Sequence, residues 1–98
     1  MDEQQQKRIA VLHQVERRLV VVLRKAAGWL PQEQLAFMES AADHGEPGVA
    51  FENFCTQIYE YDVQVPEAMV HELAELAAMM EMTLPPWIGN PDWAPPIN

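Results

Sequence analysis

The sequence predicts an all-α fold: a small up-and-down four-helix bundle with an extended C-terminal tail rich in proline and tryptophan. Apolar residues recur at spacings of three and four along most of the chain, as in amphipathic helices that pack on a core. Three prolines stand where a helix could begin, because the missing N–H of proline costs nothing at the first helical position. Residues 83–98 hold five of the eight prolines, which excludes a helix there.

The chain length limits the architecture to one folded domain. Its 98 residues can bury one modest core, and 49% hydrophobic with 21% charged residues is the composition of a globular protein. We therefore expect a helical bundle domain over residues 1–82 and a tail over residues 83–98. A single cysteine, Cys55, excludes an internal disulfide bond, so packing must stabilise the bundle, and a reducing compartment is expected.

The first helix is predicted over about residues 3–27. Its core-facing stripe consists of Val11, Leu12, Val15, Leu19, Val22, Leu23 and Ala26, broadened by Ile9 and Val20. The β-branched run from Val20 to Val22 would also suit a strand, but the apolar spacing on both sides of it remains helical. Gly28 supplies the permissive residue expected just beyond a helix end.

Each of the other three helices is predicted to begin at a proline. Helix two runs from about Pro31 to Asp43, helix three from about Pro47 to Tyr61, and helix four from about Pro66 to Glu81. The core-facing residues are Leu35, Met38 and Ala42 in helix two, and Met69, Val70, Leu73, Leu76, Ala77 and Met80 in helix four. Short connections make consecutive helices antiparallel neighbours, which gives an up-and-down bundle.

The tail contains two of the three tryptophans, Trp87 and Trp93, among its prolines. One interpretation is an extended segment whose tryptophans pack over an open end of the bundle core. The other is a polyproline-like arm that meets a partner protein. The sequence leaves both interpretations open.

Charge is distributed very unevenly along the chain. All six basic residues lie within residues 1–25, where three acidic residues oppose them, for a net charge of +3. Residues 26–98 carry twelve carboxylates and no lysine or arginine, so the whole chain has a net charge of −9. Such a surface repels nucleic acid and anionic membrane and attracts basic proteins. We therefore expect a basic protein partner, with no direct contact to nucleic acid or membrane.

The location of the protein is predicted from what the sequence does not contain. Its N-terminal residues are acidic and polar, unlike a signal peptide, and the longest strongly apolar run, Leu19 to Leu23, is far shorter than the roughly 20 residues of a membrane span. We expect a cytoplasmic protein.

Sequence motifs of enzymes are absent, so we predict no enzymatic activity, no cofactor and no metal. There is no glycine-rich phosphate loop, cysteine pair, HExxH or GxSxG. The segment Asp43-His44-Gly45-Glu46 is the one cluster that could bind a metal or act as an acid or base, and a small enzyme built on His44 remains an alternative. Cys55 shares a helix face with Phe51 and Phe54, which favours a small buried side chain over a reactive thiol.

Helix three carries the candidate binding residues. At 100° per residue its core face consists of Ala50, Phe51, Phe54, Cys55 and Ile58, and its opposite face of Glu52, Asn53, Thr56, Tyr59 and Glu60. Tyr59 is the unusual member, because an exposed aromatic side chain among carboxylates is typical of an interface that receives a basic partner. The alternative is that Tyr59 folds sideways over a neighbouring helix.

Four segments of the sequence resemble one family. They are His44-Gly45-Glu46, Gly48-Val-Ala-Phe-Glu52-Asn-Phe, Tyr59-Glu60-Tyr61-Asp62-Val-Gln-Val-Pro66 and the helix ending Met79-Met80-Glu81-Met82. Together they look like the small helical immunity proteins that accompany Maf-type and contact-dependent growth inhibition toxins of bacteria. The resemblance extends over about residues 30–82. It implies a cytoplasmic antitoxin that binds one cognate toxin, often a nuclease, and blocks its active site or its access to substrate.

The charge pattern and the resemblance lead to one hypothesis. We expect a surface that binds a basic nuclease toxin, made of Glu46, Glu52, Thr56, Tyr59, Glu60 and Asp62, with Glu39 and Asp43 at its rim. Because a nuclease must present a basic cleft to phosphates, an acidic protein can imitate that charge and cover the cleft. Without toxin the protein is expected to be a monomer or weak homodimer. A general acidic interaction module, an adaptor or anti-regulator that binds a basic protein, is the alternative.

Overall fold

Residues 2–96, which a computed structural model describes, form four α-helices and no strand. The helices are α1 (Glu3–Lys25), α2 (Gln32–Asp43), α3 (Pro47–Glu60) and α4 (Glu67–Met79). The predicted all-α fold is confirmed, and each helix boundary lies within two residues of its predicted place, the usual variation at frayed helix ends.

The helix starts follow from local chemistry. Asp2 caps α1, since its side-chain Oδ1 accepts a hydrogen bond of 2.7 Å from the backbone N–H of Gln5. Pro47 is the first residue of α3, whereas Pro31 and Pro66 stand just before α2 and α4 as N-cap residues. In each case the ring of proline stops the preceding chain from continuing as helix and sets the backbone for the next one.

Three helices end in the same hydrogen-bonded turn, a Schellman motif. The bonds that define it run from the backbone N–H of Glu46 to the carbonyl of Ala41 (2.9 Å), from Val63 to Ile58 (3.0 Å), and from Met82 to Ala77 (2.8 Å). The motif places one residue in the left-handed region, where glycine is favoured. Gly45 occupies that position after α2, with a φ of 83°, but Asp62 and Glu81 occupy it after α3 and α4.

The core lies where α1 packs against the other three helices. Its largest fully buried side chains are Phe51, Phe54, Leu19, Leu23, Met38, Leu73 and Leu76. Sequence periodicity therefore identified most of the core correctly. In α4, for example, Leu73, Leu76 and Ala77 are buried and Val70 is partly buried, as is Met80 at the C-cap.

Helices α3 and α4 do not approach each other within 8 Å between Cα atoms, although they are consecutive in the chain. The C-terminal segment packs against both of them instead. The indole N–H of Trp87 donates a 2.7 Å hydrogen bond to the backbone carbonyl of Cys55 on α3, and Ile88 is only 6% exposed. Gly89 lies so close to α4 that a Cβ there would be 2.9 Å from Cγ1 of Val70. These contacts fit the first interpretation of the tail.

The first half of α1 has less cover. Every residue from 3 to 14 is exposed, and the molecule is elongated, with extents of 48 × 28 × 26 Å. Val11 and Leu12, which the periodicity places towards the core, are 38% and 36% exposed. This part of the prediction is wrong, because α1 is much longer than the helices that could cover it.

Candidate protein-binding surface

The exposed side of α3 is the surface that the sequence singles out. Helix α3 turns its apolar face inwards, so Phe51, Phe54 and Ile58 are almost fully buried. The six residues predicted to bind a partner are all exposed: Glu46, Glu52, Thr56, Tyr59, Glu60 and Asp62. Asn53 belongs to this surface only at its margin, since it is partly buried.

One arginine of α1 forms ion pairs with carboxylates on α4. The guanidinium of Arg18 binds Glu72 through two hydrogen bonds, one of them 2.9 Å between Nε and Oε2, and lies 3.3 Å from a carboxylate oxygen of Glu75. Its Nη1 also donates to the sulfur of Met79. The bidentate pair lowers the pKa of Glu72 below its ordinary value, and the same hydrogen bonds raise the pKa of Arg18.

A second ion pair joins α1 to α2. Nη2 of Arg24 donates a 2.8 Å hydrogen bond to Oε1 of Glu39, a partly buried residue, and the hydrogen bond raises the pKa of Arg24. The charge of Asp43 contributes to the same shift. Glu39 and Asp43 were predicted as the rim of the binding surface, and the structure places both near a cation of the protein itself.

The carboxylates of the α3 surface differ from Glu39 and Glu72 in their ion pairing. Within residues 2–96, none of Glu46, Glu52, Glu60 and Asp62 has a lysine, arginine or histidine nitrogen within 4.0 Å. The two arginines of α1 that pair with other helices, Arg18 and Arg24, bind carboxylates of α4 and α2 instead. Among residues 2–96, no ion pair therefore compensates the negative charge of the surface around α3.

Tyr59 has a position that neither sequence interpretation anticipated. Tyr59 is 44% exposed, and its ring packs against the tail, with its centroid 5.4 Å from that of Trp87 and 5.6 Å from that of Trp93. The ring centroids of the two tryptophans are 5.5 Å apart, so the three rings form one cluster in tilted and edge-on arrangements. We call this cluster the aromatic ridge. Trp87 and Trp93 are thus surface residues of the candidate site that sequence reasoning assigned only to the tail.

Two clefts flank Trp87. One, of about 440 Å³, lies between the end of α3 and the tail and is lined by Tyr59, Glu60, Asp62 and both tryptophans of the cluster among other residues. The other, of about 450 Å³, is lined by Glu52, Thr56 and Trp87 together with Phe51, Met82, Thr83 and Pro85. Five of the six predicted residues therefore lie along the two sides of one aromatic ridge. The structure separates Glu46 from them, because Glu46 lines a groove beside α1.

Asp62 combines two unfavourable features at this site. Its φ of 52° is left-handed, which costs an L-residue other than glycine roughly 1–2 kcal/mol. Its negative charge stands just beyond the C-terminus of α3, where the helix dipole disfavours anions. A residue that keeps a costly conformation in a cleft is a candidate for a role in binding.

Cys55 and Gln57 are buried residues of the same helix. Desolvation, with a smaller effect of the nearby Glu52 charge, raises the pKa of the Cys55 thiol to about 12, so the thiol stays protonated at neutral pH. Gln57 donates a 2.8 Å hydrogen bond to Oε1 of Gln34 on α2. It follows Ala50 by seven residues and so shares its face, a spacing that could have identified it despite its polar side chain.

The His44 cluster forms the end of α2. His44 is the C-cap residue, and its Nδ1–H donates a 2.7 Å hydrogen bond to the backbone carbonyl of Ser40. Among residues 2–96, no group of three histidine, cysteine, aspartate or glutamate side chains is arranged to hold a metal ion.

None of the four helices, α1 to α4, combines the length and apolar character that crossing a membrane requires.

Comparison with known proteins finds no matching family model, no significant match among curated proteins and none among solved structures.

Proposed function

We propose that the protein is an immunity protein that binds and neutralises a cognate basic toxin, through the exposed side of α3 and the adjoining aromatic ridge. The observation that supports this proposal is that ion pairs form on some sides of the bundle and not on the α3 surface. Arg18 and Arg24 bind carboxylates on α4 and α2, whereas in the described part of the chain the four carboxylates of the α3 surface have no such partner. A basic protein would supply the missing positive charge.

A nuclease is the toxin class that fits this surface best. Its active site must attract phosphates and is therefore positively charged. An acidic helix can occupy such a cleft without carrying out any reaction, and opposite charges accelerate the encounter of the two proteins. In known antitoxin pairs, close charge pairs across the interface couple by roughly 1.5–7 kcal/mol, so two or three pairs suffice to determine specificity.

The aromatic ridge gives this surface an anchor as well as a charge. Binding energy in protein interfaces is concentrated in a few residues, among which tyrosine and tryptophan are enriched. Tyr59 and Trp93 present large, partly exposed rings held in place by their contacts with Trp87. Each ring offers apolar area to a partner, and the tyrosine hydroxyl and indole N–H can form hydrogen bonds at the hydrated edge of the interface.

The neighbouring reading frame provides the direct test of function. If it encodes a secreted protein with a toxic C-terminal domain, co-expression of that domain with this protein should restore bacterial growth, and the purified pair should bind more weakly as sodium chloride is added. Growth arrest despite full expression of this protein, or affinity indifferent to salt, would reject the proposal.

Charge reversal on α3 tests the surface itself. The double variant Glu52→Lys, Glu60→Lys should bind the toxin about tenfold or more weakly, because two close charge pairs become repulsive. Its thermal stability should change little, since both side chains are exposed and unpaired within residues 2–96. Isothermal titration calorimetry and thermal melts measure the two effects.

A matched control has the same net charge change elsewhere. Glu33→Lys, Glu67→Lys replaces two exposed carboxylates of α2 and α4 and should weaken toxin binding much less. Equal losses in the two double variants would mean that overall charge, not the α3 surface, governs binding. Unchanged affinity in Glu52→Lys, Glu60→Lys would remove this surface from the site.

The same acidic surface would also serve a general interaction module that holds a basic regulator. Affinity capture from the native host separates the two functions. An immunity protein should retain one toxin, and the capture should be lost in the Glu52→Lys, Glu60→Lys variant. An adaptor would retain a DNA-binding protein or a larger complex.

A further inference from the structure

A groove beside α1 is a largely apolar and uncovered feature of the described residues. It has a volume of about 700 Å³ and lies between the first half of α1, the turn that joins α2 to α3, and the end of α4. Its apolar lining consists of Val11, Leu12, Val15, Pro47, Val49, Met79, Met80 and Met82. Methionine side chains adapt to varied shapes, and they are common in surfaces that receive a helix.

The wall that α1 contributes is itself uncovered. Residues 3–14 are all exposed although they carry an apolar stripe that includes Ile9, Val11 and Leu12. A helical segment of about a dozen residues is marginally stable in water unless its apolar face is packed. Large apolar patches rimmed by polar residues are typical of protein interfaces. The groove therefore has the composition of a binding surface.

Charges of both signs border this groove. Lys7 and Arg8 stand on the α1 wall, and Glu46 and Glu81 stand on the opposite wall. A basic toxin would meet Lys7 and Arg8 with the wrong sign of charge. A second copy of this chain carries both signs in the same surface, so a two-fold rotation can set the basic residues of each copy against the acidic residues of the other.

We infer that a second copy of the chain occupies this groove, forming a two-fold dimer in which the first halves of the two α1 helices cover each other. Leu12 and Val11 of each copy enter the partner's methionine-lined groove. Lys7 and Arg8 face Glu46 and Glu81 across the interface. Glu46 then belongs to the dimer, and the remaining residues proposed to bind toxin stay exposed on α3 and in the turn that follows it.

The backbone at Glu81 agrees with this arrangement. Its φ of 57° is left-handed, and its charge stands at the C-terminus of α4, so glycine or a neutral residue would be more stable in the isolated chain. A cation from the second copy would offset the unfavourable charge of Glu81 at the helix end.

The dimer is tested by sedimentation velocity and multi-angle light scattering over a series of concentrations at physiological salt. The protein should pass from monomer to dimer as its concentration rises. Leu12→Asp should raise the dimer dissociation constant about tenfold or more, because it places a charge in an apolar contact. Val21→Asp is the matched control: Val21 lies on the same helix outside the groove and is 51% exposed, so this variant should dimerise like the parent.

Charge exchange provides a readout that misfolding cannot imitate. Lys7→Glu, Arg8→Glu should weaken the dimer, and so should Glu46→Lys, Glu81→Lys, while the variant with all four changes should dimerise again. Circular dichroism melts show that each variant is folded. A parent protein that stays monomeric at every concentration overturns the inference. Binding of the apolar dye ANS to the groove would not rescue it, because dye binding shows an exposed apolar groove and not a second copy. Equal dimerisation of Leu12→Asp and Val21→Asp overturns it too.

Discussion

The four helices leave two apolar regions open, and the tail covers only one of them. Between α3 and α4 the chain covers the opening itself, with Ile88 buried and Trp87 hydrogen-bonded to α3. Beside the first half of α1 no described residue performs that task, and Val11 and Leu12 remain partly exposed. The comparison shows that an amphipathic pattern predicts a face that needs cover. Whether the same chain supplies the cover is a separate question.

The charges divide in the same way. On the sides formed by α2 and α4, arginines of α1 compensate Glu39 and Glu72. Around α3 the exposed carboxylates find no cation among residues 2–96. Compensated charge contributes to the stability of the bundle, whereas uncompensated charge is available for a partner.

Truncating one apolar side chain in each region gives the largest difference. Ile88→Ala should lower the free energy of unfolding by about 2–5 kcal/mol, because it opens a cavity between α3 and α4. Leu12→Ala should cost less than about 1 kcal/mol in the monomer, since Leu12 is already partly hydrated. Urea unfolding at low protein concentration measures both. Equal losses would show that the tail does not serve as core.

Glycine can replace the acidic residue that follows α3 and the one that follows α4. Asp62→Gly and Glu81→Gly should each raise the free energy of unfolding by about 1 kcal/mol, because glycine adopts the left-handed conformation without steric cost. Thermal melts check this gain. The functional effects should separate: Asp62→Gly should weaken toxin binding alone, and Glu81→Gly should weaken self-association alone. If neither residue changed any binding, their conformations would have no role in recognition.

The smallest expected effect concerns the ion pair of Glu72. Because Arg18 lowers the pKa of Glu72 in the folded state, the pair stabilises the protein fully above the ordinary pKa of about 4.5 and loses this contribution as pH falls through the lower folded value. Glu72→Gln should therefore be less stable than the parent at neutral pH, and the difference should shrink in acid. The pair is partly exposed, so solvent screening keeps the effect small.

Unfolding midpoints measured from neutral to acidic pH test this prediction. Glu60→Gln is the control, because Glu60 has no ion pair among the described residues and its replacement should leave the midpoint at neutral pH nearly unchanged. A difference between the parent and Glu72→Gln that stays constant down to strongly acidic pH would show that the pair does not shift the titration of Glu72.

Much of the fold could be predicted because it depends on neighbours in the chain. Prolines at helix starts, periodic apolar residues and the inward face of α3 all act within a few residues, and the structure confirms them. The exposure of the six candidate residues follows from the same geometry. The aromatic ridge could not be predicted, because Tyr59 meets Trp87 only through the path of the tail, and no local pattern specifies that path.

The sequence by itself determined the helices, their inward faces and the excess of negative charge, since helical periodicity and net charge are properties of short segments and of composition. Tertiary structure alone decided which carboxylates Arg18 and Arg24 reach, which tryptophans join Tyr59 and which apolar stripe stays uncovered. Arg18 and Glu72 are 54 positions apart, and contacts over such distances form only when packing brings whole helices together. The same packing leaves the acidic surface of α3 and the groove of α1 exposed.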